Sequence, residues 1–76
     1  MTITVYSTPA CTFCRSVKRY LNEKRVNFRD IDVSRNQQAA QKMIRKSGQT
    51  GVPVIDIGGK IIIGFNKPAI DRALHI

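Results

Sequence analysis

The N-terminal segment alternates apolar and polar side chains, with Ile3 and Val5 interleaved with Thr4 and Tyr6. A period of two in β-branched and aromatic residues is typical of a half-buried strand. The pattern therefore predicts a strand over residues 3–7. Short β-branched or apolar runs predict three further strands, over residues 26–33, 54–57 and 60–63.

Apolar spacings of three and four residues predict helices between these strands. The first helix covers residues 12–24, where Cys14, Val17 and Leu21 fall on one face. The last helix begins after Asn66, a residue type that caps helices through its side-chain oxygen. The predicted inward-facing residues of this last helix are Ile70, Ala73 and Leu74.

The middle helix is predicted to start at a capping box, in which Ser34 is followed three residues later by Gln37. It runs to about residue 46, and Gly48 is the residue type that commonly ends a helix in the left-handed conformation. The buried stripe predicted for this helix is Ala40, Met43 and Ile44.

The elements follow the order βαβαββα, which indicates an α/β protein. The first βαβ unit predicts parallel strands with a right-handed crossover. The pair Gly58-Gly59 predicts a tight hairpin, which makes the last two strands antiparallel. We therefore predict a four-stranded mixed sheet with three helices, formed as a single domain over residues 1–76. This order, with Cys-x-x-Cys at the start of the first helix, resembles the thioredoxin fold.

Two cysteines, Cys11 and Cys14, lie three positions apart where the first helix is predicted to begin. Disulfide exchange needs a thiolate, which the N–H groups and dipole of a helix N-terminus stabilise. Arg15 adds positive charge one turn after Cys11. We predict that Cys11 attacks a substrate disulfide and that Cys14 resolves the mixed disulfide. A bridge that closes so short a loop stabilises the fold little, which favours a chemical role.

Thirteen Lys and Arg residues against five Asp and Glu residues give the 76-residue chain a net charge of +8. This charge favours acidic partners and leaves a nucleic-acid-binding module as an alternative function. The basic residues are scattered and no nucleic-acid-binding motif is present, so nucleic acid is the less favoured partner. A non-catalytic thioredoxin-like interaction module is a third alternative, against which the intact cysteine pair argues.

The sequence contains no signal-peptide pattern, and no apolar stretch approaches the roughly 20 residues of a transmembrane helix. We expect a cytoplasmic monomer without membrane contact, in a compartment where disulfides are transient. Two cysteines and His75 are too few for a structural zinc site within one chain. No metal and no bound cofactor are therefore predicted, while a metal or iron–sulfur cluster shared by two chains stays open.

The sequence is similar to the glutaredoxin family across essentially the whole chain. This resemblance implies a dithiol–disulfide oxidoreductase that reduces protein disulfides or glutathione mixed disulfides. It also implies that Pro53 follows a cis bond and faces the cysteines. The segments that carry the resemblance are Cys11-Thr12-Phe13-Cys14, Gly51-Val52-Pro53, Gly58-Gly59 and Ile63-Gly64-Phe65.

Three positions depart from the family pattern. Thr12 replaces the usual proline, Thr8 stands where a glutathione-binding lysine is often found, and Asn66 replaces an aspartate that would bind the glutathione ammonium. The chain therefore also resembles glutaredoxin-like redoxins that are reduced by thioredoxin reductase and serve ribonucleotide reductase. Glutathione and thioredoxin reductase are both candidate electron donors. The substrate-binding residues that the resemblance implies are Thr12, Phe13, Val52, Pro53, Gly64, Phe65 and Asn66.

Overall fold

A four-stranded mixed sheet organises the chain in the computed structural model, which describes residues 2–76. The strand order is β2-β1-β3-β4, with β1 parallel to β2 and antiparallel to β3, and β3 antiparallel to β4. This arrangement confirms the predicted element order and the thioredoxin-type α/β fold. The elements are β1 (Ile3–Ser7), α1 (Thr12–Glu23), β2 (Arg29–Asp32), α2 (Gln37–Ser47), β3 (Val54–Ile57), β4 (Lys60–Ile63) and α3 (Lys67–Leu74).

The larger apolar core lies between the sheet and helices α1 and α3. Cys14, Val17 and Leu21 of α1 are all buried, as their spacing predicted. Ile70 and Ala73 of α3 are buried as well. Burying an aliphatic side chain of this size contributes roughly 1.5–3 kcal/mol, so these residues hold the cysteine-bearing helix against the sheet.

Helix α2 begins two residues later than predicted, and its cap is Asn36 rather than Ser34. The Asn36 side-chain oxygen accepts the backbone N–H of Ala39 at 3.0 Å. The Ser34 hydroxyl instead donates to the carboxylate of Asp32 at 2.5 Å. The predicted capping box is therefore wrong, because the serine completes the turn after β2 and a later polar residue caps the helix.

The buried face of α2 is also displaced from the predicted one. Ala39 and Met43 are buried against Tyr6, while Ile44 is 39% exposed and Ala40 only partly buried. Two neighbouring apolar stripes were available on this helix, and periodicity alone does not say which one meets the sheet. The contact with the sheet selects the stripe through Ala39.

Strand β2 covers only Arg29–Asp32, half of the predicted range 26–33. Val26 instead closes the turn that ends α1, since its N–H donates to the Leu21 carbonyl at 2.9 Å. Val26 and Phe28 are apolar because they pack on the larger core. The predicted strand was too long because Val26 and Phe28 are partly buried by contacts with the core and not by a place in the sheet.

Candidate active site

Cys11 lies where the loop after β1 turns into α1, and it is the N-cap residue of that helix. Its backbone is extended, with φ −96° and ψ 111°, and its sulfur accepts the N–H of Cys14 at 3.0 Å. A sulfur in the N-cap position faces the unpaired N–H groups of the first helical turn, which stabilise negative charge. The prediction that Cys11 lies at the start of the helix is confirmed.

The two cysteines are joined by a disulfide bond, with their Cα atoms 5.2 Å apart. Cys14 is fully buried, on the face of α1 that packs on the core, whereas Cys11 is partly exposed. An incoming disulfide can therefore reach Cys11 but not Cys14. This difference in access suits a cycle in which the outer sulfur attacks and the inner sulfur resolves.

The loop before β3 brings a second segment of the chain to the cysteines. The bond between Val52 and Pro53 is cis, as the family resemblance implied. Pro53 is fully buried, and the Val52 carbonyl oxygen lies 3.9 Å from the Cys11 sulfur. This approach is a contact and not a hydrogen bond while the sulfur is in the disulfide. The carbonyl of the partly buried Val52 thus lies beside the outer sulfur. The pairing of Val52 with an extended substrate segment stays a prediction.

The turn after β4 is attached to the same loop. The Gly64 N–H donates to the Pro53 carbonyl at 2.9 Å. Gly64 has φ +80°, in the left-handed region that favours glycine. Phe65 follows and packs edge-on against Tyr20 of α1, with ring centroids 5.9 Å apart and an angle of 63° between the rings. The structure therefore places Val52 beside Cys11, bonds Gly64 to Pro53 in the same loop, and turns Phe65 toward α1.

Asn66 has an observed structural role. Its side-chain oxygen accepts the Ala69 N–H at 3.1 Å and caps α3. The sequence predicted this cap, and the family resemblance implied a substrate contact. The cap is confirmed, while the substrate contact stays a prediction.

Two exposed side chains lie within the Cys-x-x-Cys segment. Phe13 is 64% exposed, although its side chain is large and apolar. Thr12 is exposed too, and its carbonyl accepts a hydrogen bond from the Ser16 hydroxyl at 3.3 Å. An exposed aromatic ring beside a reactive sulfur is suited to contact a partner protein. Both residues stay predicted substrate contacts.

Arg15, which was predicted to favour the Cys11 thiolate, is hydrogen-bonded to the loop that precedes the cysteines. Its guanidinium donates to the Pro9 carbonyl at 3.1 Å. This bond holds the loop against the first turn of α1 and so supports the position of Cys11. The electrostatic effect of Arg15 on the sulfur stays a prediction.

A polar network that was not predicted from the sequence connects α1 to two strands. The buried Ser7 donates to Asp30 at 2.7 Å, and the Lys18 ammonium donates to the other Asp30 oxygen at 2.9 Å. Partial burial alone would raise the pKa of Asp30, but the hydrogen bonds from Ser7 and Lys18 outweigh it and lower that pKa. The only signal in the sequence was Lys18 one turn after Cys14, which does not identify its partner.

A separate groove of about 620 Å³ opens beside α2. Neither cysteine lines it, and its walls carry Arg29, Lys42, Lys46 and Asp56. Within residues 2–76, no three His, Cys, Asp or Glu side chains cluster as metal ligands would. None of the helices in this range has both the length and the apolar character needed to cross a membrane.

Comparison with known proteins gives consistent matches. The glutaredoxin family model matches residues 3–62. An uncharacterized glutaredoxin-like 8.6 kDa protein in the rubredoxin operon of Clostridium pasteurianum is 44% identical over 73 residues, which is 96% of this chain and 97% of that protein. Glutaredoxin 3 of Escherichia coli is 32% identical over 62 residues, 82% of this chain and 75% of that protein.

One solved structure is similar to this protein over nearly the whole length of both chains. It is the glutaredoxin-like protein NrdH-redoxin from Escherichia coli, whose structure is described as the basis of a thioredoxin-like activity profile. The TM-score is 0.86 and the identity 32%, with 95% of this chain and 93% of that chain covered.

Proposed function

The chain belongs to the glutaredoxin family, and from that premise we propose that it reduces protein disulfides in a two-cysteine cycle. The observation that carries the proposal is the unequal access of the two sulfurs. Cys11 is partly exposed at the start of α1, and Cys14 is fully buried within bonding distance of it.

In the proposed cycle, the Cys11 thiolate attacks one sulfur of the substrate disulfide. A sulfur–sulfur bond forms to Cys11, and the substrate bond breaks with its electron pair on the leaving sulfur, which takes up a proton. Cys14 then loses its proton and attacks the Cys11 sulfur, which releases the second substrate thiol. The substrate has gained two electrons and two protons, and the bridge between Cys11 and Cys14 is the oxidised product.

We propose protein disulfides as better substrates than glutathione mixed disulfides. Asn66 offers no charge to the glutathione ammonium, and its side-chain oxygen is occupied by the cap of α3. Thr8 likewise supplies no cation before Cys11. The exposed Phe13 ring and the Val52 backbone suit an extended polypeptide better than a small charged tripeptide.

The same features favour thioredoxin reductase over glutathione as the electron donor. A redoxin of Escherichia coli whose structure is described as the basis of a thioredoxin-like activity profile is similar to this chain, with a TM-score of 0.86 and 32% identity. Ribonucleotide reductase, which the family resemblance implies as a partner, is the first protein substrate to test.

A coupled assay of NADPH consumption tests the proposal with insulin as the disulfide substrate. One arm supplies thioredoxin reductase, and the other supplies glutathione with its reductase. We expect turnover with thioredoxin reductase and at least about tenfold less with glutathione. Faster turnover with glutathione would reverse the donor, and no turnover in either arm or with dithiothreitol would contradict the redox function itself.

A further inference from the structure

A small cleft lies beside Phe65, between α1 and the start of α3. It has a volume of about 220 Å³. Pockets that hold whole small-molecule ligands are usually about 300–1,000 Å³, so this cleft fits one side chain better than a complete ligand. The residues that line it are Ser16, Arg19, Tyr20, Glu23, Phe65 and Lys67.

Two aromatic rings hold a cation at this cleft. The Lys67 ammonium is 5.4 Å from the centroid of the Tyr20 ring and 5.5 Å from that of Phe65. Cation–π contacts position an ammonium without neutralising its charge. Across residues 2–76, the salt bridges leave both Lys67 and Arg19 without a carboxylate within 4.0 Å. Both cations are therefore available to an anion from outside the chain.

The other charges near the cleft leave it positive. Lys24 also lies over the Tyr20 ring, at 5.4 Å from its centroid. The Tyr20 hydroxyl donates to Asp71, which engages that carboxylate and fixes the ring that positions Lys67. Glu23 is the one lining carboxylate, against the lining cations Arg19 and Lys67. A carboxylate entering the cleft would meet more positive than negative charge.

The cleft lies close enough to Cys11 for one bound polypeptide segment to reach both. Phe65 follows Gly64, whose N–H bonds to Pro53 in the loop that contacts Cys11. Arg19 is seven residues after Thr12, the first residue of α1, which places it about 10 Å along the helix axis. An extended chain advances about 3.3 Å per residue, so three or four residues span this distance.

We propose that this cleft binds an acidic side chain of the protein substrate, three or four residues from the cysteine that Cys11 attacks. Arg19 and Lys67 would determine this specificity, with Phe65 and Tyr20 holding Lys67 in place. The inference rests on the proposed disulfide reduction and adds the chemistry of the partner: an aspartate or glutamate near the reactive disulfide.

The test compares two synthetic peptides, each with one cysteine joined to 2-mercaptoethanol as a mixed disulfide. One peptide carries glutamates three and four residues from the cysteine on both sides, and the other carries glutamines there. Second-order rate constants are measured with the pre-reduced protein at low ionic strength. We expect the acidic peptide to react about fivefold faster, and high salt to reduce this preference.

The Arg19→Gln/Lys67→Gln double variant should reduce the preference to less than about twofold. The matched control is Arg29→Gln/Lys42→Gln, which removes two charges from the separate groove and should keep the preference. The single variant Arg19→Gln changes an exposed position and should lose about half of the preference for the acidic peptide. It replaces the double variant in the test if the double variant folds poorly.

Equal rates for the two peptides with the unmodified protein would overturn the inference. An equal loss in the control pair would overturn it too, because the preference would then come from overall charge. Failure of the protein to reduce either peptide or the neutral 2-hydroxyethyl disulfide would instead contradict the proposed function. These outcomes separate the specificity from the reaction.

Discussion

The groove beside α2 and the site around Cys11 differ in what their side chains do. The groove has about 620 Å³ of space and carries Lys46 and Asp56, which bond to each other at 2.5 Å. The cysteine site has little charge of its own but an outer sulfur that accepts a backbone N–H at 3.0 Å and lies near the Val52 carbonyl. In this molecule, reactivity is therefore expected from backbone orientation at a helix start, and not from cavity size or charge density.

The charges of the groove serve the fold. Asp56 is buried in β3, and besides Lys46 it accepts the Gly59 N–H at 2.8 Å. Burial alone would raise the pKa of Asp56, but the hydrogen bonds from Lys46 and Gly59 outweigh it and lower that pKa. The pair attaches the end of α2 and the β3–β4 hairpin to one another, which is a structural task.

Removing the outer sulfur is the strongest way to test this contrast. Cys11→Ser should abolish disulfide reduction, because the attacking atom is lost. Cys14→Ser should keep the attack and accumulate a mixed disulfide through Cys11, visible by mass spectrometry as an adduct on the protein. The matched change in the groove, Lys42→Gln, should leave the rate within about twofold. A large loss in Lys42→Gln would mean that the groove takes part in the reaction.

Removing the groove carboxylate should affect stability instead of activity. Asp56→Asn loses the charge that binds Lys46 and should cost about 1–2 kcal/mol in the free energy of unfolding near pH 7. Because the pKa of Asp56 is lowered by folding, its contribution is complete above the ordinary aspartate pKa and disappears as the pH falls through the lowered value. Urea unfolding at about pH 7 and about pH 3 measures both differences.

The variant and the unmodified protein should therefore be closer in stability at the acidic pH. The disulfide-reduction rate of folded Asp56→Asn serves as the control and should not change. A stability difference that stays constant with pH would show that shape, and not charge, explains the effect of the carboxylate.

Removing the positive charge of Arg15 should change the reactivity of Cys11 only slightly, which is the smallest effect expected here. Arg15 is exposed and bonds to the Pro9 carbonyl, so its field at the sulfur is screened by water. Arg15→Gln should slow the alkylation of Cys11 in the reduced protein by about threefold or less. The measurement is the alkylation rate against pH, with Arg45→Gln on α2 as the control. A tenfold loss would show that side-chain charge outweighs the helix start.

Local patterns predicted much of this fold. The spacing of Cys14, Val17 and Leu21 identified the buried face of α1, and the alternation at Ile3 and Val5 identified β1. These patterns succeeded because each element has one apolar stripe that meets the core. The same reasoning failed for α2, where two stripes competed and the buried one contains Ala39 instead of Ile44.

The sequence likewise predicted some parts of the candidate site and not others. Cys11 at the start of α1 follows from neighbouring residues, so the sequence was enough to place it. The contact of Val52 with Cys11 joins residues 41 positions apart, and only the family resemblance implied it. The network of Ser7, Lys18 and Asp30 could not be predicted from Lys18 alone, since a single polar residue does not reveal its distant partner.

By itself, the sequence determined which sulfur begins the helix, which sulfur faces the core, and the order of the strands and helices. Those properties depend on residues within one or two turns of each other, where spacing controls geometry. The tertiary structure decided which group lies beside the sulfur, which stripe of α2 is buried, and that the Lys67 ammonium contacts two rings, one from α1 and one from the turn after β4. Such contacts join distant parts of the chain, and they exist only once the sheet and helices have packed.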